Sequence, residues 1–183
     1  MSVTLRKIVE QDLERIMNWR MDPDITRYMN TDPVLTMEGQ RKWLASIESR
    51  QDVKYWLIEV DGQPAGVINI GGLEHPEGHC TWGYYVGEKR LRSIKTALGL
   101  EMSMYDYLFV KLGKKKLYGD IFSLNQGVIQ LHLMCGSEIV EEKKAHVEKN
   151  GEFFDVTFMC MTAEKWLEIR DRKKYEKIEF PDV

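Results

Sequence analysis

The chain reads as a mixed α/β (α+β) protein, with one mixed central sheet of about seven strands flanked by helices on both faces. Three observations predict this. Asp61-Gly62 and Asn150-Gly151 each separate two strand-like runs, and both dipeptides suit the type I′ turn, whose two central residues need φ > 0. A strand over residues 79–87 leads into a basic loop over 88–97 and a long helix over 98–112. A further strand over 115–122 then precedes a helix over 125–134, so helices interrupt the strands on either side of the centre.

Each element has a local cause. Residues 3–9 alternate as a first strand, and residues 11–20 carry Leu13, Ile16, Met17 and Trp19 near helical spacing. Asp22-Pro23 opens a short helix running to Met29, and Thr36 is an N-cap for a helix over 37–50 that gathers Trp43, Leu44 and Ile47 on one side. The two hairpins join strands 53–60 to 63–71 and 139–149 to 152–161. Residues 98–112 are apolar around most of the circumference, which marks a buried central helix whose methionines fill core space. Ser123-x-x-Gln126 reads as a capping box for the helix at 125. Thr162 caps a last helix over 163–175 with a charged outer face, either solvated or a homodimer element.

A length of 183 residues suits a single domain over 1–183, ending in a C-terminal helix and tail over 163–183. Hydrophobic content of 43%, charged content of 30% and a net charge of −3 describe a globular protein with no general affinity for nucleic acid. No apolar run approaches the roughly 20 residues of a membrane span, and the N-terminus lacks a signal-peptide core. Cys80, Cys135 and Cys160 are odd in number and widely spaced, as expected of reduced thiols in a cytoplasmic protein. No metal site is expected: the Glu74-His75-Pro76-Glu77-Gly78-His79 run has no recognised ligand spacing and reads as a polar turn.

The chemistry concentrates between Trp82 and Ser137. A strand feeding a cationic loop at a helix N-terminus sets backbone N–H groups and the helix dipole against phosphate oxygens. Asp120, on the neighbouring strand, offers a base to whatever a phosphorylated carrier delivers, so group transfer from such a carrier is the expectation. Lys114-Lys115-Lys116 is a solvated strand entry or meets a carrier phosphate.

This order and these motifs resemble the GCN5-related N-acetyltransferases (GNAT), over nearly the whole chain. The family loop R/Q-x-x-G-x-G/A stands here as Arg92-Ser93-Ile94-Lys95-Thr96-Ala97, with Lys95 in place of a glycine, adding charge or crowding the backbone. The pattern N-x-x-A-I-x-L-Y-x-x-x-G-F aligns with residues 125–137, where Asn125, Ile129, Leu131 and Gly136 agree, His132 replaces Tyr and Ser137 replaces Phe. The run from Asn18-Trp19-Arg20 through Tyr28-Met29 to Thr31-Asp32, with Trp82-Gly83-Tyr84-Tyr85-Val86-Gly87, resembles the subgroup of pseudaminic acid biosynthesis that acetylates the 4-amino group of a UDP-linked 4-amino-4,6-dideoxy sugar.

The resemblance implies a sheet splayed between its fourth and fifth strands, acetyl-CoA as co-substrate, and direct transfer to an amine. It implies that Arg92, Ser93, Ile94, Lys95, Thr96 and Ala97 hold the pyrophosphate, with Asn125, Tyr85 and Val86 also on the CoA side and the Val86 N–H on the acetyl oxygen. Asp120 is then the general base. His132 protonates the leaving thiolate or merely packs on its helix. Arg20, Met29, Asn30 and Tyr84 are the acceptor-side residues, and Arg20 either grips a substrate phosphate or pairs with Asp22 or Asp24. The implied acceptor is a nucleotide sugar, the alternatives being a polyamine or a protein N-terminus, and a non-catalytic acyl-CoA-binding domain is the third reading.

Overall fold

The computed structural model describes Ser2–Val183. Seven strands form one sheet in the order β1-β2-β3-β4-β5-β7-β6. They are β1 (Val3–Arg6), β2 (Lys54–Val60), β3 (Gln63–Gly71), β4 (His79–Val86), β5 (Lys116–Phe122), β6 (Glu138–Lys149) and β7 (Glu152–Thr162). Helices α1 (Leu13–Met21), α2 (Pro23–Thr26), α3 (Met37–Ser49), α4 (Ile94–Tyr105), α5 (Gln126–Cys135) and α6 (Ala163–Ile169) complete it. Both hairpins form as their dipeptides require, with φ of 49° and 74° at Asp61 and Gly62 and of 53° and 80° at Asn150 and Gly151.

The feature that positions the site is a fork. β4 and β5 run parallel but pair only at His79↔Lys116, Cys80↔Leu117 and Thr81↔Tyr118. From Trp82 onward β4 pairs with β3 alone, and from Gly119 onward β5 pairs with β7 alone. The strands therefore part with Val86 on one branch and Asp120 on the other.

Each face of the sheet has its own core. Leu13, Ile16 and Trp19 of α1 pack with Leu57 and Val67, against Trp43, Leu44 and Tyr85. On the other face α4 brings Leu100, Met104 and Tyr105 to Ile68, Ile70 and Trp166, with Trp82 and Tyr84 packed alongside. Successive residues of β4 thus belong to opposite faces, Tyr84 to the α4 side and Tyr85 to the α1 side, as strand alternation demands.

Several boundaries differ from expectation, each for a local reason. α4 begins at Ile94, not 98, because the Ser93 hydroxyl accepts from the Thr96 N–H at 3.0 Å and caps it. Residues 106–111 are π-helical. The shift gathers donors around the Asp106 carboxylate, which accepts from Trp166 Nε1 at 2.9 Å, Arg170 Nε at 3.1 Å and the Tyr175 hydroxyl at 2.6 Å. Those bonds hold α6 to seven residues, followed by a 3-10 turn at Arg170–Arg172. The Ser123–Gln126 capping box does not form: the Ser123 hydroxyl bonds Thr157 Oγ1 at 2.8 Å, and Gln126 Nε2 reaches the Ser123 carbonyl instead. β1 stops at Arg6, whose guanidinium forks onto both oxygens of Asp12 at 2.7 and 2.8 Å and turns the chain into α1. The C-terminal tail is a core element, with Phe180 edge-on to Trp56 and the Trp56 indole N–H donating to the Pro181 carbonyl.

Candidate active site

On one face the fork meets the N-terminus of α4. Thr96 N–H is taken by the Ser93 hydroxyl and Ala97 N–H by the Ser93 carbonyl. The N–H groups of Ser93, Ile94 and Lys95 have no acceptor among the described residues. Three free amides at the positive end of a 12-residue helix are suited to phosphate oxygens. Arg92 donates from Nε to the Val86 carbonyl at 2.9 Å, tying this loop to the β4 branch of the fork. Lys95 does not turn its charge to the amides. Its ammonium pairs with Glu176 of the tail at 2.9 Å, and the Glu176 carboxyl is held below its ordinary range by that contact. Asn125 occupies the N-cap of α5 without using its side chain there, so its amide is free to serve a ligand.

On the other face Asp120 is exposed at the outer branch, paired across the sheet with Phe158. Asn30 reaches it from the chain segment after α2, Nδ2 to Oδ2 at 3.5 Å, the outer limit of a hydrogen bond. Arg20 binds the same segment through Met29 Sδ at 2.9 Å and Thr31 Oγ1 at 3.3 Å. A latch holds the segment from below: Lys149 Nζ, buried at the tip of the β6–β7 hairpin, meets Asp32 at 2.8 Å and the Thr26 carbonyl at 2.6 Å. Asn150 donates to the other Asp32 oxygen at 2.6 Å. Lys149, then Thr26 and Asn150, hold the Asp32 carboxyl below its usual range.

Arg20 is not the partner of Asp22 or Asp24. Asp22 caps α2 by accepting from the Asp24 N–H, and Asp24 pairs with Lys89. Among the described residues Arg20 has no carboxylate partner. It lies close enough to Tyr85 for its charge to oppose the upward push that burial gives that phenol.

Arg20, Met29, Asn30 and Asp120 therefore converge on one side, and Tyr84 does not join them. Its phenol lies on the α4 face, raised by burial and by the nearby Glu101 and Cys135. His132 also lies there, with its ring 5.5 Å from Trp82 and Nδ1 2.8 Å from Glu101 Oε2. Trp82 is the first β4 residue past the last β4–β5 pair, so His132 stands at the crotch of the fork. The sequence reading missed Glu101 and Lys149, and it named Asp32 without its partner. The signal available for Glu101 was a lone charge inside an apolar helix.

His75, Glu77 and His79 bring one ligand-capable atom each within 4.8 Å of one another. His75 Nδ1 already accepts the Glu77 N–H at 3.2 Å, as in a self-bonded polar turn. Among the described residues no helix is long and apolar enough to cross a membrane.

The sequence matches the family described as Acetyltransferase (GNAT) domain over residues 2–138. The chain belongs to that family. It is an N-acetyltransferase that uses acetyl-CoA, and the fork, the free amides and Asn125 are features that suit such a co-substrate. Two Campylobacter jejuni proteins named acetyltransferase PseH are similar to it over 134 residues, at 27% and 25% identity, covering 73% of this chain and 82% of each relative. In fold the GNAT domain resembles the spermidine N-acetyltransferase of Vibrio cholerae, solved in complex with CoA and spermine. The TM-score is 0.83 at 19% identity, over 90% of this chain and 98% of that one.

Proposed function

We propose that this GNAT enzyme acetylates the amine of a phosphate-bearing acceptor, a nucleotide-linked amino sugar of the UDP-4-amino-4,6-dideoxy type. The observation that carries the reading is Arg20: a partly buried guanidinium on the Asp120 side, contacting a thioether and a hydroxyl instead of a carboxylate. An unpaired guanidinium is a ready bidentate partner for phosphate. A polyamine needs the reverse, a cleft of free carboxylates, whereas here Asp32 is neutralised by Lys149 and Asp24 by Lys89. The likeness to acetyltransferase PseH supports the same reading.

Amide formation requires a deprotonated amine, a polarised carbonyl, close approach and a stable leaving group. Acetyl-CoA lies in the fork with its pyrophosphate on the amides of residues 93–95, and the Val86 N–H meets the acetyl oxygen. Arg20 and the segment carrying Met29 and Asn30 orient the acceptor so that its nitrogen faces Asp120. Asp120 takes the proton directly or through water, and its exposure keeps such a water within reach. The amine attacks in a ternary complex. The three cysteines are buried, and burial raises all three thiols, which makes each a poor acyl carrier.

The deciding experiment compares free CoA release from acetyl-CoA with a UDP-linked 4-amino sugar, spermidine and a peptide amine. Turnover highest on the nucleotide sugar is expected; preference for spermidine would replace this acceptor with a polyamine.

A further inference from the structure

From residue 98 to the end of α4 at 105 the helix carries a single charged side chain, Glu101, and it is 0% exposed. A carboxylate sealed from water is strongly destabilising unless both oxygens find donors. Here they do. Oε2 meets His132 Nδ1 at 2.8 Å, and Oε1 accepts from the Tyr105 hydroxyl. The partner is the residue that stands where the resembling family carries tyrosine.

The geometry also says which edge of the ring is free. Among the described residues Tyr107 Oη is the buried side-chain polar atom that lacks a partner. His132 Nε2 lacks one too, so it is not sealed in, and the 9% of the side chain that stays accessible lies away from a fully enclosed Glu101. Nδ1 lies on the carboxylate and the ring lies against Trp82, the first β4 residue past the last β4–β5 pair.

We propose that Glu101 is a positioning residue for His132: it keeps a proton on Nδ1, fixes the ring, and leaves Nε2 to protonate the departing CoA sulfur. This rests on the acetyl-transfer reading above. In the transfer the acceptor nitrogen attacks the thioester carbonyl carbon. A C–N bond forms, the C–S bond breaks, and its electron pair leaves on sulfur. The nitrogen's proton goes to Asp120, and the imidazolium Nε2 proton goes to sulfur, giving the amide and the CoA thiol. His132 is left neutral with Nδ1–H still on Glu101. Exchange with water then returns one proton to His132 and removes one from Asp120.

The groups around the pair are Tyr105 from α4, Trp82 and Tyr84 from β4, and Cys135 from α5, with Lys173 acting on Cys135 from beyond α6. Burial first, and then the Glu101 charge, raise Tyr84, Tyr105 and Cys135 far above neutral pH, so all three stay protonated.

Glu101→Gln keeps the shape and removes the charge. It is expected to lower kcat roughly tenfold and to leave KM for acetyl-CoA within about twofold. In a His132→Gln background the same change should cost nothing further. An unchanged kcat, or an equal loss in both backgrounds, overturns the proposal. Nitrogen-15 NMR of the histidine rings in the unmodified protein decides it even if Glu101→Gln fails to fold. Nδ1 of His132 must be protonated, and a bare Nδ1 with Nε2–H overturns the assignment. That readout needs no turnover. Failure of the acetyl-transfer reading shows separately, as unmodified protein that releases no CoA with any amine.

Discussion

The two faces of the sheet meet at one gap and treat their carboxylates in opposite ways. Asp120, on the α1 side, is exposed and touched by a single long contact from Asn30, a residue 90 positions away in the chain. Glu101, on the α4 side, is fully enclosed by donors from α4 and the adjoining α5. The α4 side is thus preorganised by buried bonds and backbone amides, which suits the co-substrate proposed to lie there, one that never changes. The α1 side, the proposed acceptor side, is assembled from exposed and partly buried side chains on distant segments, so its selectivity rests on which charges are left unpaired. Arg20 is one such charge; Asp32 and Asp24 are not.

The contrast breaks first at Asp120. Asp120→Asn should lower kcat by about a hundredfold, while CoA affinity, measured by calorimetry, is unchanged because the CoA side does not use it. Full turnover by this variant would remove Asp120 from the mechanism.

Arg20→Gln sharpens the charge argument. It should cut kcat/KM for the nucleotide-linked acceptor about tenfold, the scale of one charge-assisted hydrogen bond, almost wholly through KM. Equal losses on spermidine and on the nucleotide sugar would show that Arg20 only supports the Met29–Thr31 segment.

The latch makes a pH prediction. Lys149 depresses the Asp32 carboxyl in the folded protein, so its contribution is complete above the unfolded value of about 3.9 and is lost as pH falls through the lower folded value. Amide exchange at Asn30 and Thr31, corrected for intrinsic rate, should therefore accelerate as pH drops below about 4. In Asp32→Asn it should be fast throughout, with no such step. A step of equal size in the variant would place the titrating group elsewhere.

The smallest effect belongs to Lys95. Because its ammonium is turned to Glu176, Lys95→Ala should change KM for acetyl-CoA by less than about twofold. A larger rise would mean that the ammonium leaves Glu176 to meet a phosphate.

Much of this could be read along the chain because its causes are local. Asp61-Gly62 and Asn150-Gly151 tolerate φ > 0, and the two turns that follow set the registers of both hairpins. Thr36 and Thr162 cap the helices they precede. The start of α4 was legible too, in Ser93-x-x-Thr96, but reading residues 88–97 as a basic loop set the boundary four residues too late. The π-helical turn was not legible, since it depends on Trp166, Arg170 and Tyr175 converging on Asp106 from 60 or more residues away.

By itself the sequence determined what short-range sterics and periodicity control: seven strands, their hairpins, the buried helix, and a phosphate-suited helix start next to a carboxylate-bearing strand. Tertiary structure alone decided which charges are spent. Whether Arg20 pairs with Asp22, Lys95 with a phosphate, or Glu101 with water depends on which groups packing brings within about 3 Å. Coulomb and hydrogen-bond energies fall off over that distance, and position along the chain does not encode it.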